Sequence, residues 1–194
     1  SANLPNTNQI VIHGFINYEG QKMSKSLGNV VSPQEIINEY GLEALRYFVA
    51  RELNQFEDTD ISREQLKTSY NANLANGLGN LVSRIMTLAA THLSAPVAIA
   101  ESEDMSEYFA FLDKFEINKA ANYVWEKIAE LDVLIQDKKP WESKDQTVIS
   151  DLVVKLYSIA RMLNPIMPET SAKIKALVKA NKKPEAPLFL RKDA

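Results

Sequence analysis

The sequence predicts a mainly α-helical chain, an antiparallel helix bundle preceded by a short α/β segment. Three observations predict it. Apolar residues recur at helical spacing through most of the stretch from Ser62 to Asn181. Helix starts and stops punctuate that stretch at short intervals, which makes sequential helices antiparallel neighbours. Strand-like patterning is confined to Ile10–Tyr18, ahead of all the helices.

The elements follow in order. A lone strand cannot form a sheet, so Ile10–Tyr18 either pairs with something local and short or is the edge of a larger sheet. The second reading is preferred. Ser32-Pro33-Gln34-Glu35 opens a helix, with Ser32 as cap, Pro33 in the first turn and Glu35 completing a capping box. Gly41 suits a left-handed stop. "LEALRYFVARE" reads as a second helix with Leu42, Leu45, Phe48 and Val49 on one face, and "NQFEDTD" as an acidic loop. Ser62 with Gln65 caps a long helix from about Arg63 to His92, ended by Pro96. "DMSEYFAFLDKF" and "INKAANYVWEKIAELDVLIQDKK" follow, the latter broken at Pro140. "DQTVISDLVVKLYSIARMLNPIMP" is stopped by Pro165 and Pro168, "ETSAKIKALVKAN" closes the bundle, and "KPEAPLFLRKDA" is an extended tail. The expected division is 1–61, the short α/β segment with its two helices, and 62–194, the helical domain with its tail.

Composition narrows the function. The 194 residues are 45% hydrophobic and 24% charged, which is ordinary for a globular protein. No cysteine means no disulfide and no thiolate metal site, and a reducing cytoplasm is the expected location. Two histidines far apart give no metal site. No apolar run is long enough to span a bilayer, and the first residues do not read as a signal peptide. A net charge of −3 is unlike a polybasic nucleic-acid binder, so any RNA contact is local.

The most chemically suggestive segment is "EGQKMSKSLGN", Glu19–Asn29. Lys22 and Lys25 are solvated loop charges on one reading. On the other, the flanking Gly20 and Gly28 let the loop close two ammonium groups around a polyphosphate, stabilising the charge that develops as a bond to the α-phosphorus breaks. The serines would orient the loop or bond the phosphates. That chemistry is nucleotidyl transfer from ATP.

Two further groups stand out in the bundle. Asn80 and Arg84, four apart, share one helix face. Asn offers a paired donor and acceptor to a base edge, and Arg offers charge and a fork. In "KKPWE", Pro140 leaves Trp141 at a bend, where it is either a core plug or a platform for an unstacked base. Trp125, Tyr123 and Ile128 read as core and His92 as a polar cap. Lys138, Lys139 and Lys144 are phosphate contacts or plain surface charge. The basic tail residues Lys182, Lys183, Arg191 and Lys192 either pack back or stay free. Glu57, Asp58 and Asp60 receive no role.

"KMSKS" at Lys22–Ser26 matches the second signature of class I aminoacyl-tRNA synthetases at every position. "HGFINYEGQKMSKSLGN", "YGLEALRYFVARE", "YNANLANGLGNLVSRI" and the tail "PLFLRK" resemble methionyl-tRNA synthetases in order and spacing, although those tails more often carry proline where Leu190 stands. The first signature, HIGH, is absent, and "HGF" at His13–Phe15 is not a variant of it. The resemblance therefore implies the C-terminal part of such an enzyme, with the amino-acid pocket and any zinc-bearing insertion upstream. It implies that Lys22 and Lys25 are catalytic, that Lys22, Met23, Ser24, Lys25 and Ser26 bind ATP with Mg, and that Asn80, Arg84, Pro140 and Trp141 read a CAU anticodon. The implied partners are tRNA(Met) and, in the whole enzyme, methionine and ATP, with no membrane, DNA or metal. This part alone would bind no cofactor and would be inactive. Another class I enzyme (leucyl, isoleucyl or valyl), a stand-alone tRNA-binding module and a plain helical interaction protein are the alternatives.

Overall fold

Strand pairing at the start of the chain is local. The computed structural model describes residues 7, 9–24, 26, 28–99 and 104–192. β1 (Ile16–Tyr18) is the centre of a three-stranded sheet of order β2-β1-β3. β2 (Gln21–Lys22) pairs with it antiparallel, and β3 (Thr59–Ile61) pairs with it parallel. The strand is thus shorter than Ile10–Tyr18 and is partnered on both sides, not left as an edge. The sequence reading missed β3 because "NQFEDTD" is acidic and strand-poor in composition. Its acids have structural work. Asp58 Oδ1 accepts the Phe15 N–H at 2.8 Å, and Asp60 Oδ1 accepts the Gly20 N–H at 2.8 Å. Gly14 has a packing reason of its own, since a Cβ there would lie 2.1 Å from the Glu57 carbonyl oxygen.

Between β2 and β3 run α1 (Pro33–Tyr40) and α2 (Leu42–Tyr47), which continues into a π-helical turn, Phe48–Glu52. The expected capping box at Ser32 does not form. The Ser32 side chain makes no cap bond, and Glu35 instead meets Arg63 at 2.6 Å. α1 does stop at Gly41, but with φ 93° and ψ 158°, outside the left-handed helical well. The buried face of α2 and its π turn is Ala44, Tyr47 and Phe48, whereas Leu42 and Val49 are exposed.

The bundle comprises α3 (Arg63–Ser69), a π-helical segment Tyr70–Gly79, α4 (Asn80–His92), α5 (Ser106–Asp113), α6 (Ile117–Lys138), the single-turn α7 (Pro140–Ser143), α8 (Gln146–Leu163) and α9 (Pro168–Ala180). Ser62 caps α3 by accepting the Gln65 N–H at 3.2 Å, as its sequence predicts. Asp145 caps α8 through the N–H groups of Thr147 and Val148. Pro168 starts α9 rather than stopping a helix, since an N-terminal turn has no use for its missing N–H. α8 lies at the centre, against α4, α6 and α9, and buries Ile149, Leu152, Val153, Leu156, Ile159 and Leu163.

α2 is clamped to this bundle at both sides of the α8–α9 turn. Arg46 donates to the Pro165 and Ile166 carbonyls at 2.7 and 2.6 Å, where α8 has ended. Glu43 accepts the Glu169 and Thr170 N–H groups at 2.5 and 2.8 Å, at the start of α9. Each charge matches the helix end that it meets. Ile36, Ala44, Tyr47 and Phe48 join one hydrophobic core with the bundle residues. No helix among the described residues is long and apolar enough to cross a membrane.

Candidate nucleic-acid interface

The long helix from Arg63 to His92 changes its winding in the middle. At Gly77 a Cβ would approach the Ala72 carbonyl oxygen to 3.1 Å, and at Gly79 the Leu74 carbonyl oxygen to 3.0 Å. Each carbonyl lies five residues back, where the wider i→i+5 winding brings it inward, so glycine suits both places. This segment and the start of α4 form one wall of a polar groove, and α6 forms the other.

The groove encloses about 720 Å³. Asn73, Asn76 and Asn80 border it from one wall, and Trp125, Asp132 and Gln136 from the other. Asn80 and Arg84 thus share a face and a groove, as their spacing predicts. Arg84 is not a free cation. Its Nη1 donates to Asp132 Oδ1 at 2.6 Å, which ties α4 to α6. Sequence reasoning missed Asp132, because nothing local marks a partner so far along the chain. Trp125 and Ile128 are buried, as expected of core residues, yet both also border the groove.

At the inner end, Arg51 reaches over from the π turn after α2. It donates to the Tyr47 hydroxyl at 2.7 Å and to Asn122 Oδ1 at 3.1 Å, pairs with Glu52 at 3.0 Å and lies 5.1 Å from the Trp125 ring. Burial and the Glu52 hydrogen bond push the Tyr47 phenol far above its ordinary pKa. The groove's charges are Arg51 and Arg84 against Glu126 and Asp132, so two positive and two negative cancel. Carboxamides dominate the rest. Such a lining suits neutral planar groups with mixed donors and acceptors better than phosphates.

At the other end, Gln136 lies in the last turn of α6, just before the bend that carries Trp141. Lys139 (φ 42°) and Lys144 (φ 54°) bracket α7 in left-handed conformations. Neither is glycine, so the backbone is held here at a cost. The arrangement buries Pro140 and leaves Trp141 42% exposed. Trp141 is therefore not a core plug. Lys138 sits 3.5 Å from Asp137. His92 ends α4, and its carbonyl accepts from Gln146 Nε2 at 3.0 Å.

The lysine loop lies on the sheet side. Glu19 and Gly20 both have positive φ, the pattern of a type I′ hairpin turn between β1 and β2. Lys22 is exposed, with Nζ 4.4 Å from the centre of the Phe15 ring. Asn29 organises the loop. Its Oδ1 accepts the Ser24 N–H at 2.8 Å, and its Nδ2 donates to the Lys22 carbonyl at 3.2 Å. The Ser24 and Ser26 hydroxyls are 2.8 Å apart. Lys25 lies outside the described residues. Two neighbouring hydroxyls and an exposed lysine on one short loop are donor types that suit a polyphosphate.

Residues 1–86, which hold the lysine loop, Asn80 and Arg84, match the family model for class I tRNA synthetases (M). Beyond that stretch the similarity continues. The methionine–tRNA ligase of Thermotoga maritima is 29% identical over 95% of this chain, and that of Helicobacter pylori 33% identical over 90%. This chain resembles methionine–tRNA ligases. It spans about a third of the length of those relatives, 32% and 30% respectively. Among solved structures, Mycobacterium tuberculosis methionyl-tRNA synthetase bound by methionyl-adenylate superposes with a TM-score of 0.76 at 25% identity, over 92% of this chain and 43% of that one. The mainly helical architecture with its small sheet therefore resembles part of a methionyl-tRNA synthetase structure.

Proposed function

We propose that this chain supplies the signature loop and the anticodon-reading bundle of a methionine–tRNA ligase, an enzyme that activates methionine with ATP and transfers it to tRNA(Met) in the cytoplasm. Residues 1–61 end its catalytic domain, and residues 62–194 form the anticodon domain. The observation that carries this reading is the groove between α4 and α6. It holds Asn80 and Arg84 on one wall and ends at Gln136 in the last turn of α6, and an exposed Trp141 follows on the next turn of helix. One base of the loop lies on the indole, Pro140 fixes its angle, and Asn80 and Arg84 bond to its edge.

On the sheet side, Lys22, Met23, Ser24, Lys25 and Ser26 are the residues that would hold ATP with its Mg ion. Their part is electrostatic, placing cations and hydroxyls where negative charge develops on the departing phosphates. The 194 residues contain no HIGH signature, so this chain by itself is proposed to bind RNA without activating methionine.

The test is a titration of the chain with an anticodon stem-loop carrying CAU and with loops altered at each anticodon base. Preferential binding of CAU is expected. Equal affinity for all loops, or no binding, would overturn the reading. Methionine-dependent exchange of pyrophosphate into ATP by this chain alone would overturn the statement on activity.

A further inference from the structure

Asn29 follows the lysine loop and bonds back into it twice. Its Nδ2 donates to the Lys22 carbonyl at 3.2 Å, and its Oδ1 accepts the Ser24 N–H at 2.8 Å. A carboxamide suits this place, since one planar group carries both a donor and an acceptor. Both partners are backbone atoms, so neither bond occupies the Lys22 ammonium or the Ser24 hydroxyl. The place of the tie is informative. β2 is two residues long, and its last pair is Lys22 with Asn17. Asn29 therefore takes hold of the chain at the residue where the strand ladder ends. Gly28 before it has φ 66°, and a Cβ there would meet nothing within 4 Å, so this glycine serves the turn of the chain and not its packing. At the hairpin turn, the Glu19 N–H donates to the Ile61 carbonyl at 3.1 Å and the Gly20 N–H to Asp60 at 2.8 Å. The segment is thus fixed to the sheet at its turn and to itself through one half-buried asparagine.

From these contacts we infer that Asn29 is a positioning residue for adenylate formation: by joining the Lys22 carbonyl to the Ser24 amide, it sets the backbone from which the Lys22 ammonium and the Ser24 hydroxyl reach the phosphates. The inference rests on the proposed reading of the loop and adds a residue outside its five-residue signature. Lys22 is an exposed cation on a flexible stem. Such a charge stabilises departing phosphates only where it is held in place before the bond breaks. Asn29 touches no phosphate in this reading and acts only through the residues that it holds.

The test is Asn29→Ala, made in the ligase proposed to contain this chain and in the chain itself. In the ligase, single-turnover adenylate formation should slow about 10–10²-fold, the effect of a misplaced group, while the ATP concentration that gives half the maximal rate changes little. Melting temperature should stay level, because the loop lies outside the hydrophobic core. A double variant, Asn29→Ala with Lys22→Ala, shows how the loss arises. Residues that act through one another are not additive, so the double variant should be nearly as fast as Lys22→Ala alone. In the chain itself, the Ser24 amide hydrogen should exchange about tenfold faster once its acceptor is gone. Unchanged Ser24 exchange, or adenylate formation within about twofold of the parent, refutes the positioning role. A double variant slowed by the full product of the single losses refutes it too, as does a fall in melting temperature with a normal rate in the folded fraction. If Lys22→Ala itself leaves the rate unchanged, the reading of the loop fails first and this inference falls with it. A slow Lys22→Ala beside a normal Asn29→Ala overturns this inference alone.

Discussion

Asn71 and Lys192 exchange two hydrogen bonds. Asn71 Nδ2 donates to the Lys192 carbonyl at 2.8 Å, and the Lys192 N–H donates to Asn71 Oδ1 at 2.8 Å. Just before this contact, Phe189 meets the Tyr70 ring edge-on at 6.2 Å and lies against Gly79. The extended tail thus packs back onto the π-helical segment whose other side borders the groove. Asn71→Ala should cost about 1–2 kcal/mol, because two bonds are lost at a partly solvated site. Urea denaturation gives that figure. Hydrogen exchange should localise the loosening to Tyr70–Gly79, and unchanged protection there would show that the tail does not brace the segment.

Two phenols predict an alkaline limit. Burial pushes the Tyr108 hydroxyl up to about 12, and it donates to the Met162 carbonyl at 2.7 Å. Burial and the neighbouring Glu39 carboxylate push Tyr40 up to about 12. Unfolded phenols ionise near the ordinary value of 10, so the folded state binds these protons more tightly. Their contribution is complete below pH 10 and is lost as the pH rises from 10 to 12, at about 1.4 kcal/mol per pH unit for a fully buried phenol. Absorbance at 295 nm should show their ionisation coinciding with the loss of helical circular dichroism. Ionisation well ahead of unfolding would place them in water.

In the ligase proposed to contain this chain, Lys22→Ala and Lys25→Ala should slow adenylate formation about 10²–10³-fold, with little change in methionine affinity. Charge appears on the departing phosphates only as the bond breaks, so the contact favours the transition state. Single-turnover rates within about threefold of the parent, under 1 kcal/mol, would remove the lysines from the chemistry.

The sequence made the helix boundaries legible where a single residue sets them. Ser62 caps and Pro140 breaks as their side chains require, α1 stops at Gly41 though not in the left-handed well expected of it, and the bundle follows from the helical pattern after Ser62. What escaped was set by distant partners. Glu35 looks like a capping residue until Arg63 takes it. β3 is invisible in "NQFEDTD" because its strand character comes from pairing with β1, not from its residues. The shared face of Asn80 and Arg84 was legible through their spacing, and the bend that exposes Trp141, outside the groove lining, through Pro140. Asp132, which holds Arg84, and Arg51, which packs on Trp125, were not, since only the fold brings them together. The π winding had a faint signal in Gly77 and Gly79, two glycines inside a helical pattern.

Trp141→Ala separates a platform from a plug. The indole is 42% exposed on α7, between two left-handed lysines, and it is Pro140 beside it that is buried. Truncation should therefore leave the melting temperature nearly unchanged. Removing a buried indole costs about 3–5 kcal/mol, and Trp125→Ala should behave that way. Loss of base stacking costs about 1–3 kcal/mol, so affinity for the CAU stem-loop should fall by roughly one to two decades. The loss should concentrate at the first anticodon base if that base lies on the ring. Melting and stem-loop titration on both tryptophan variants give the comparison. A large drop in melting temperature for Trp141→Ala, with unchanged affinity in the folded fraction, would make this tryptophan structural and leave the proposed base-reading role of Asn80 and Arg84 without its platform.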